Sequence, residues 1–210
     1  MFIEYSYIGF YTIILIVGFY HFKKYEHSVL LKWWMGFLVY SFLTELVSRY
    51  TIERFRIRAI IIYNSWYFLN ALFYLLFYFY KVNNRIRKRI LLSLISVYLV
   101  FFGLQFVYLN YTKEYFVYTW MAGQLFVVFS VIIYFAEMLN SDKIINIQKS
   151  LFFWISLGVL IFNVVLLPVF VIGELIDWQG IFEYIIFGAN IILSLCFITG
   201  FVLSKKEFNN

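Results

Sequence analysis

The side chains able to do chemistry in this chain are a few carboxylates, amides and hydroxyls set inside long apolar runs. Ser41, Thr44, Glu45 and Ser48 follow i, i+3, i+4, i+7 spacing, which puts all four on one face of a helix. Asn64, Ser65 and Asn70 lie in the next run, where Tyr63, Tyr67, Asn70, Tyr74 and Tyr78 form one aromatic and polar stripe. Gln105, Gln124 and Asn163 each add an amide to a later run, and Glu183, Asn190 and Ser194 recur at i, i+7, i+11 in the last. Within hydrocarbon such groups must be offset by a partner or a wet cavity, so they mark candidate sites. The chemistry they offer is hydrogen bonding and ion pairing to a small ligand. The candidate is a pocket with Glu45 and Glu183 at its mouth and Asn70, Gln105, Gln124, Asn163 and Asn190 deeper, lined also by Ser41, Thr44, Asn64 and Tyr67. Two plainer readings stand beside it. Amides and hydroxyls also serve as interhelical glue worth about 0.6 kcal/mol each, and Glu183 lies near an interface where water can solvate it.

Covalent and metal chemistry find little support. The single Cys196 excludes a disulfide framework and a four-thiolate zinc site. His21 and His27, with Glu26, would make only a thin metal site and read as solvated loop residues. No H-E-x-x-H, G-x-S-x-G or glycine-rich phosphate loop is present. Glu45 and Glu183 could act as acid and base, but no nucleophile or metal accompanies them. A retinal protein needs a lysine in its last span, and positions 181–203 contain none. The Gly-Asp signature of membrane lysoplasmalogenases is missing as well. The expectation is no enzyme, no metal and no cofactor.

The elements that position these residues follow from composition. Hydrophobic residues make up 64% of the 210 and charged residues 13%, against about 45–50% and about 25% in soluble domains. Apolar runs occupy about 5–22, 30–48, 59–80, 90–109, 116–139, 151–173 and 181–203, each long enough to span a bilayer. The fold class is therefore all-α: one polytopic bundle of seven transmembrane helices, with no room for an extramembrane domain. A transmembrane barrel would alternate in polarity, whereas 90–102 is apolar on every face. Residues 1–4 supply no basic region and no cleavage site, so the first run stays as a helix.

Basic residues orient the bundle. With the N-terminus outside, Lys23, Lys24, Lys32, Lys81, Arg85, Arg87, Lys88, Arg89, Lys143, Lys149, Lys205 and Lys206 face the cytoplasm. Arg49, Arg54, Arg56, Arg58 and Lys113 face outward, and the loop near Glu174 and Asp177 has no basic residue. The balance favours N-out and C-in. Four arginines in the 49–58 connection run against it, and the alternation Arg54-Phe-Arg56-Ile-Arg58 suits outer-leaflet phosphates or an anionic ligand. A net charge of +6 spread along membrane borders does not suggest nucleic-acid binding.

Other features are modest. Pro168 removes a helical donor and marks a hinge in the sixth span. Trp33, Trp34, Trp66, Trp120, Trp154 and Trp178 fit an interfacial anchoring belt. Asn110-Tyr111-Thr112 matches a glycosylation acceptor, a pattern of little weight in a chain whose Ile, Phe, Lys, Asn and Tyr content looks bacterial. No internal repeat and no GxxxG seam is evident.

Phe42-Leu-Thr44-Glu45-Leu-Val-Ser48-Arg49-Tyr50, the run from Tyr63-Asn64-Ser65-Trp66-Tyr67 through Asn70 to Tyr74, and Phe153-Trp154-Ile155-Ser156-Leu157-Gly158 carry a likeness. With the aliphatic ending into Gly200-Phe201, the chain resembles bacterial seven-helix membrane proteins often encoded beside sensor histidine kinases. One departure is Asn70, where an acidic residue would be expected. The resemblance implies a sensing or signalling accessory of the bacterial cytoplasmic membrane, with a histidine kinase as partner and Glu45 as the residue carried over most readily. The leading expectation is a receptor-like protein that binds a small molecule or lipid in an outward-facing pocket, shifts helix six at Pro168 and acts through a separate cytoplasmic partner. The alternatives are a small transporter or channel, or a helper subunit of a membrane complex.

Overall fold

The computed structural model describes residues 2–140, 142–176 and 180–209. Asp177 and Trp178, assigned above to the outer loop and the aromatic belt, lie outside the described residues. Seven α-helices follow in order among those residues: α1 Phe2–Tyr20, α2 Val29–Phe55, α3 Ile60–Lys81, α4 Arg85–Tyr108, α5 Val117–Leu139, α6 Leu151–Ile176 and α7 Gly180–Leu203. Short 3-10 turns occupy Phe22–Lys24, Asp142–Lys149 and Lys206–Phe208. α2 to α7 are each long and apolar enough to cross a membrane, and α1 carries a shorter apolar stretch, Ser6–Tyr20. The protein is a multi-pass helical membrane protein.

The helix ends differ from the hydropathy limits where polar residues continue or cap a helix. α2 does not stop at residue 48 but runs to Phe55, because 49–55 contains no Gly or Pro and the Glu45–Arg49 pair spans one helical turn. At 27 residues and 1.5 Å per residue it is about 40 Å long, longer than the ~30 Å hydrocarbon core. The connection to α3 therefore shrinks to residues 56–59. α4 starts at Arg85 rather than 90 because the Asn84 side chain accepts from the Ile86 and Arg87 amides at 2.9 and 3.2 Å. Pro168 sits inside α6, which continues to Ile176.

The chain forms two compact units, 1–39 with 135–210 and 40–134. In the first, α7 packs against α6 and α1. Backbones approach closely at small residues. A methyl group on Gly200 would come within 2.6 Å of the Trp154 Cβ, and one on Gly158 within 2.9 Å of the Cys196 Cβ. Cys196-x-x-x-Gly200 is thus a small-xxx-small seam. Trp34 packs edge-on to Phe197 with ring centroids 4.9 Å apart and is fully buried. Trp34, and in the second unit the buried Trp120, are therefore core residues rather than interfacial anchors. Their flat apolar area is larger than any other side chain's and is buried against neighbouring rings.

One end of this unit is tied by its tails. Lys24 donates its ammonium to the Phe201 and Val202 carbonyls at 3.0 and 2.6 Å, satisfying orphan acceptors at the C-terminus of α7. Asn209 donates to the Lys24 carbonyl at 3.1 Å and accepts from the Leu151 amide at 2.8 Å, which caps α6. Tyr25, fully buried, donates to the Gly18 carbonyl at 2.7 Å, and that burial pushes its phenol well above the usual tyrosine range. Burial also lowers the Lys24 ammonium from its ordinary value. Lys24, counted in the sequence as a topology signal, is here also a helix cap.

In the second unit α3 packs on α4, and Phe68 stacks on Phe102 with centroids 4.1 Å apart. A methyl on Gly123 of α5 would meet the Ala71 Cβ at 2.5 Å and the Tyr98 ring at 3.0 Å, whereas Gly103 of α4 faces open space. Gly123→Val is therefore expected to cost about 1–3 kcal/mol by overpacking. Gly103→Ala should gain about 0.5–1 kcal/mol by helix propensity. Thermal melting of the detergent-purified variants checks both, and equal melting temperatures would contradict the packing described.

Candidate functional site

Several amides and hydroxyls of the spans bond to their own helix four residues back. Thr44 donates to the Tyr40 carbonyl at 2.9 Å, Asn163 to Val159 at 2.6 Å, Asn190 to Ile186 at 2.8 Å and Ser194 to Asn190 at 2.7 Å. The residues of the expected pocket fall into both units. Asn163, buried, half-buried Asn190 and exposed Glu183 belong to the first, with Glu183 in the first turn of α7, where the helix dipole favours a carboxylate. The Asn163 Oδ1 is buried without a partner among the described residues. Ser41, Thr44, Glu45, Asn64, Tyr67, Asn70, Gln105 and Gln124 belong to the second.

Within the second unit Asn64 has a definite task. It is fully buried. Its amide nitrogen donates to the Tyr111 carbonyl at 2.9 Å and the Glu114 carbonyl at 2.8 Å, and its oxygen accepts from the Phe116 amide at 2.9 Å. All three polar positions that face the 109–116 loop are used, and two of them grip the residues on either side of Tyr115. Ser65 adds a 2.7 Å hydrogen bond with the Tyr111 hydroxyl. The Asn110 side chain accepts from the Thr112 amide and hydroxyl at 3.1 and 2.7 Å, so the would-be glycosylation triplet is a local turn. Asn64 is thus a positioning residue for Tyr115.

Tyr115 joins an aromatic cluster. Its ring lies 6.5 Å from that of Tyr63, which stacks on Tyr67 at 6.4 Å, and Tyr67 in turn lies 6.0 Å from both Trp66 and Trp120. The Trp66 indole donates to the Ser41 hydroxyl at 3.3 Å, tying α3 to α2. Glu45 accepts from Arg49 at 3.1 Å. The carboxylate is therefore neutralised by a residue of its own helix. Gln105 accepts from the Thr119 amide at 2.9 Å and from its hydroxyl, leaving its buried Nε2 without a partner among the described residues. Asn70 is half-buried on α3 and Gln124 is buried on α5.

The concave surface at this end lies beside the aromatic cluster. An open cleft of about 470 Å³ is lined by Ile52, Glu53, Arg56, Ile57, Arg58 and Tyr115. Arg56 ends α2 in the left-handed region, at φ 55°, with its amide donating to the Ile52 carbonyl at 3.0 Å. That is the αL termination that glycine or asparagine usually supplies. Arg49, Tyr115 and Thr119 are the contributors that sequence reading did not single out. The i, i+4 spacing to Glu45 signals Arg49, whereas nothing local signals the other two.

No family model matches the chain, and neither a curated protein nor a solved structure does.

Two substitutions test the site's construction. Asn64→Asp keeps the acceptor for Phe116 but turns a carboxylate oxygen toward two carbonyls, and should cost about 3 kcal/mol or more from lost donors and desolvation. Arg56→Gly should instead stabilise the free protein by about 1 kcal/mol, because glycine carries no left-handed penalty. Melting temperatures that fall for the first and rise for the second are the expected outcome.

Proposed function

We propose that this chain is a receptor-like membrane protein that binds a small molecule or lipid at the α2–α3 end of its second unit and acts through a separate cytoplasmic partner. The observation that carries the reading is the open cleft in which Arg56 and Arg58 stand beside Tyr115, itself held by the fully bonded Asn64. Cationic and aromatic groups converging on one concavity, with the loop behind them fixed, are the usual makings of a ligand site. The basic-residue count faces this end outward. The site differs from the one expected above: Glu45 does not line the cleft and is paired with Arg49 of its own helix.

Ile52 and Glu53, in the last turns of α2, line the cleft, so a ligand held there bears directly on that helix. Pro168 remains a candidate hinge in α6, with no helical donor for the carbonyl four residues back. The partner must read short connections, since the segments between helices are too small to form a domain. A histidine kinase of the bacterial cytoplasmic membrane is the kind the resemblance implies.

A helper-subunit reading draws on a different observation, the hydroxyls and amides bonded to their own helices, which offer little to a diffusing ligand or a permeation path. Thermal melting with a panel of lipids, metabolites and peptides separates the two. A ligand at 100 times its dissociation constant contributes about 2.7 kcal/mol, or roughly 5 °C or more in a protein of this size. The receptor reading expects such a rise for wild type and a much smaller one for Tyr115→Leu. If no compound stabilises the wild type, while Tyr115→Leu and Glu45→Gln merely melt lower, the helper-subunit reading takes its place.

A further inference from the structure

We infer that the turn between α2 and α3 is a headgroup site for an anionic phospholipid, with Arg56 and Arg58 pairing with the phosphate and Phe55 and Ile57 entering the acyl boundary; this rests on the ligand-binding reading above and names its ligand class. The turn spans only residues 56–59 between two membrane-crossing helices, so it lies at the border where lipid phosphates lie. Its cleft of about 470 Å³ falls in the ~300–1,000 Å³ range of small-ligand pockets.

Charge and strain point to an anion. Neither Arg56 nor Arg58 has a carboxylate at ion-pair distance among the described residues, and against them the cleft wall sets only the Glu53 carboxylate. Two unpaired guanidiniums in one cleft present forked donors that match phosphate oxygens. Arg56 also holds its backbone at φ 55°, a cost borne by a residue whose side chain has no ion-pair partner among the described residues. Strain at such a position is characteristic of a binding residue. The α2 dipole explains Arg54, in the last turn, but Arg56 and Arg58 lie beyond it.

The apolar neighbours favour a lipid over a soluble phosphate. Phe55 is 60% exposed and Ile57 58%, each set between two arginines, which is the alternation of a segment lying in the headgroup region. Outer-leaflet phosphates would also offset the orientation cost of four arginines between 49 and 58, on the side that the other basic residues avoid.

The test uses the full chain purified in a non-ionic detergent, melted with short-chain phosphatidylglycerol, short-chain phosphatidylcholine or glycerol phosphate. Phosphatidylglycerol is expected to raise the melting temperature of wild type at least threefold more than either other compound, with the rise shrinking at high salt. Arg56→Gly and Arg58→Gln should each remove most of that rise. Since Arg56→Gly is expected to melt no lower than wild type without lipid, its loss of response cannot be unfolding. Equal stabilisation by glycerol phosphate would overturn the lipid assignment in favour of a soluble phosphate ligand. An undiminished response in both variants would overturn the site. If another compound of the panel stabilises wild type through Tyr115 while phosphatidylglycerol does not, the ligand-binding reading survives and the lipid inference fails.

Discussion

The bilayer core offers no water to an unpaired polar group, and the structure is organised around that constraint. Backbone amides and carbonyls are satisfied by running the chain as helices from one interface to the other. The exposed helix ends are then closed individually: Asn84 for α4, Asn209 for α6, Lys24 for α7 and the left-handed Arg56 for α2. Several side chains follow the same rule, although the Asn163 Oδ1 and the Gln105 Nε2 stay buried without a partner among the described residues. Thr44, Asn163, Asn190 and Ser194 turn back onto their own helices, at hydrogen-bond lengths of 2.6 to 2.9 Å. Polar groups free to meet a ligand are consequently few inside the spans, and Arg56 and Arg58, without ion-pair partners among the described residues, stand in the short connection between α2 and α3.

With apolar side chains already at home in lipid, association of the helices relies on close packing. Small residues let backbones approach at Gly200, Gly158 and Gly123, and aromatic rings fill the space around them. Each unit has its own version: tryptophan and phenylalanine around α7 in one, stacked tyrosines and phenylalanines between α3, α4 and α5 in the other. The same packing fixes the functional end, because Tyr115 is presented by a loop that Asn64 anchors from within the second unit.

How much of this was legible in the sequence depended on the range of the interaction. Hydropathy gave seven helices and their order, since a run of about 20 apolar residues has one stable form in lipid. It misjudged ends wherever polar residues stayed helical, as in 49–55 and 85–89. Glu45 and Arg49 were readable as an i, i+4 pair, but the arginine was read as part of a connection. The tasks of Asn64 and Asn209 were not readable, because their partners lie some 50 and more residues away in sequence. Asn163 and Asn190, readable in sequence as pocket amides or as interhelical glue, bond to carbonyls of their own helices instead. The alternation of Arg56 and Arg58, which suits phosphate, was readable directly.

In the proposed receptor the arginine turn faces out of the cell, and its exposure to that side is the most direct thing to measure. Ile57, 58% exposed between Arg56 and Arg58, can be replaced by cysteine in a Cys196→Ala background, Cys196 being the chain's single cysteine. A membrane-impermeant maleimide applied to intact cells should label Ile57→Cys, and added anionic lipid should slow the labelling of the purified protein. Labelling that appears only after the cells are permeabilised would place the turn in the cytoplasm and contradict the account.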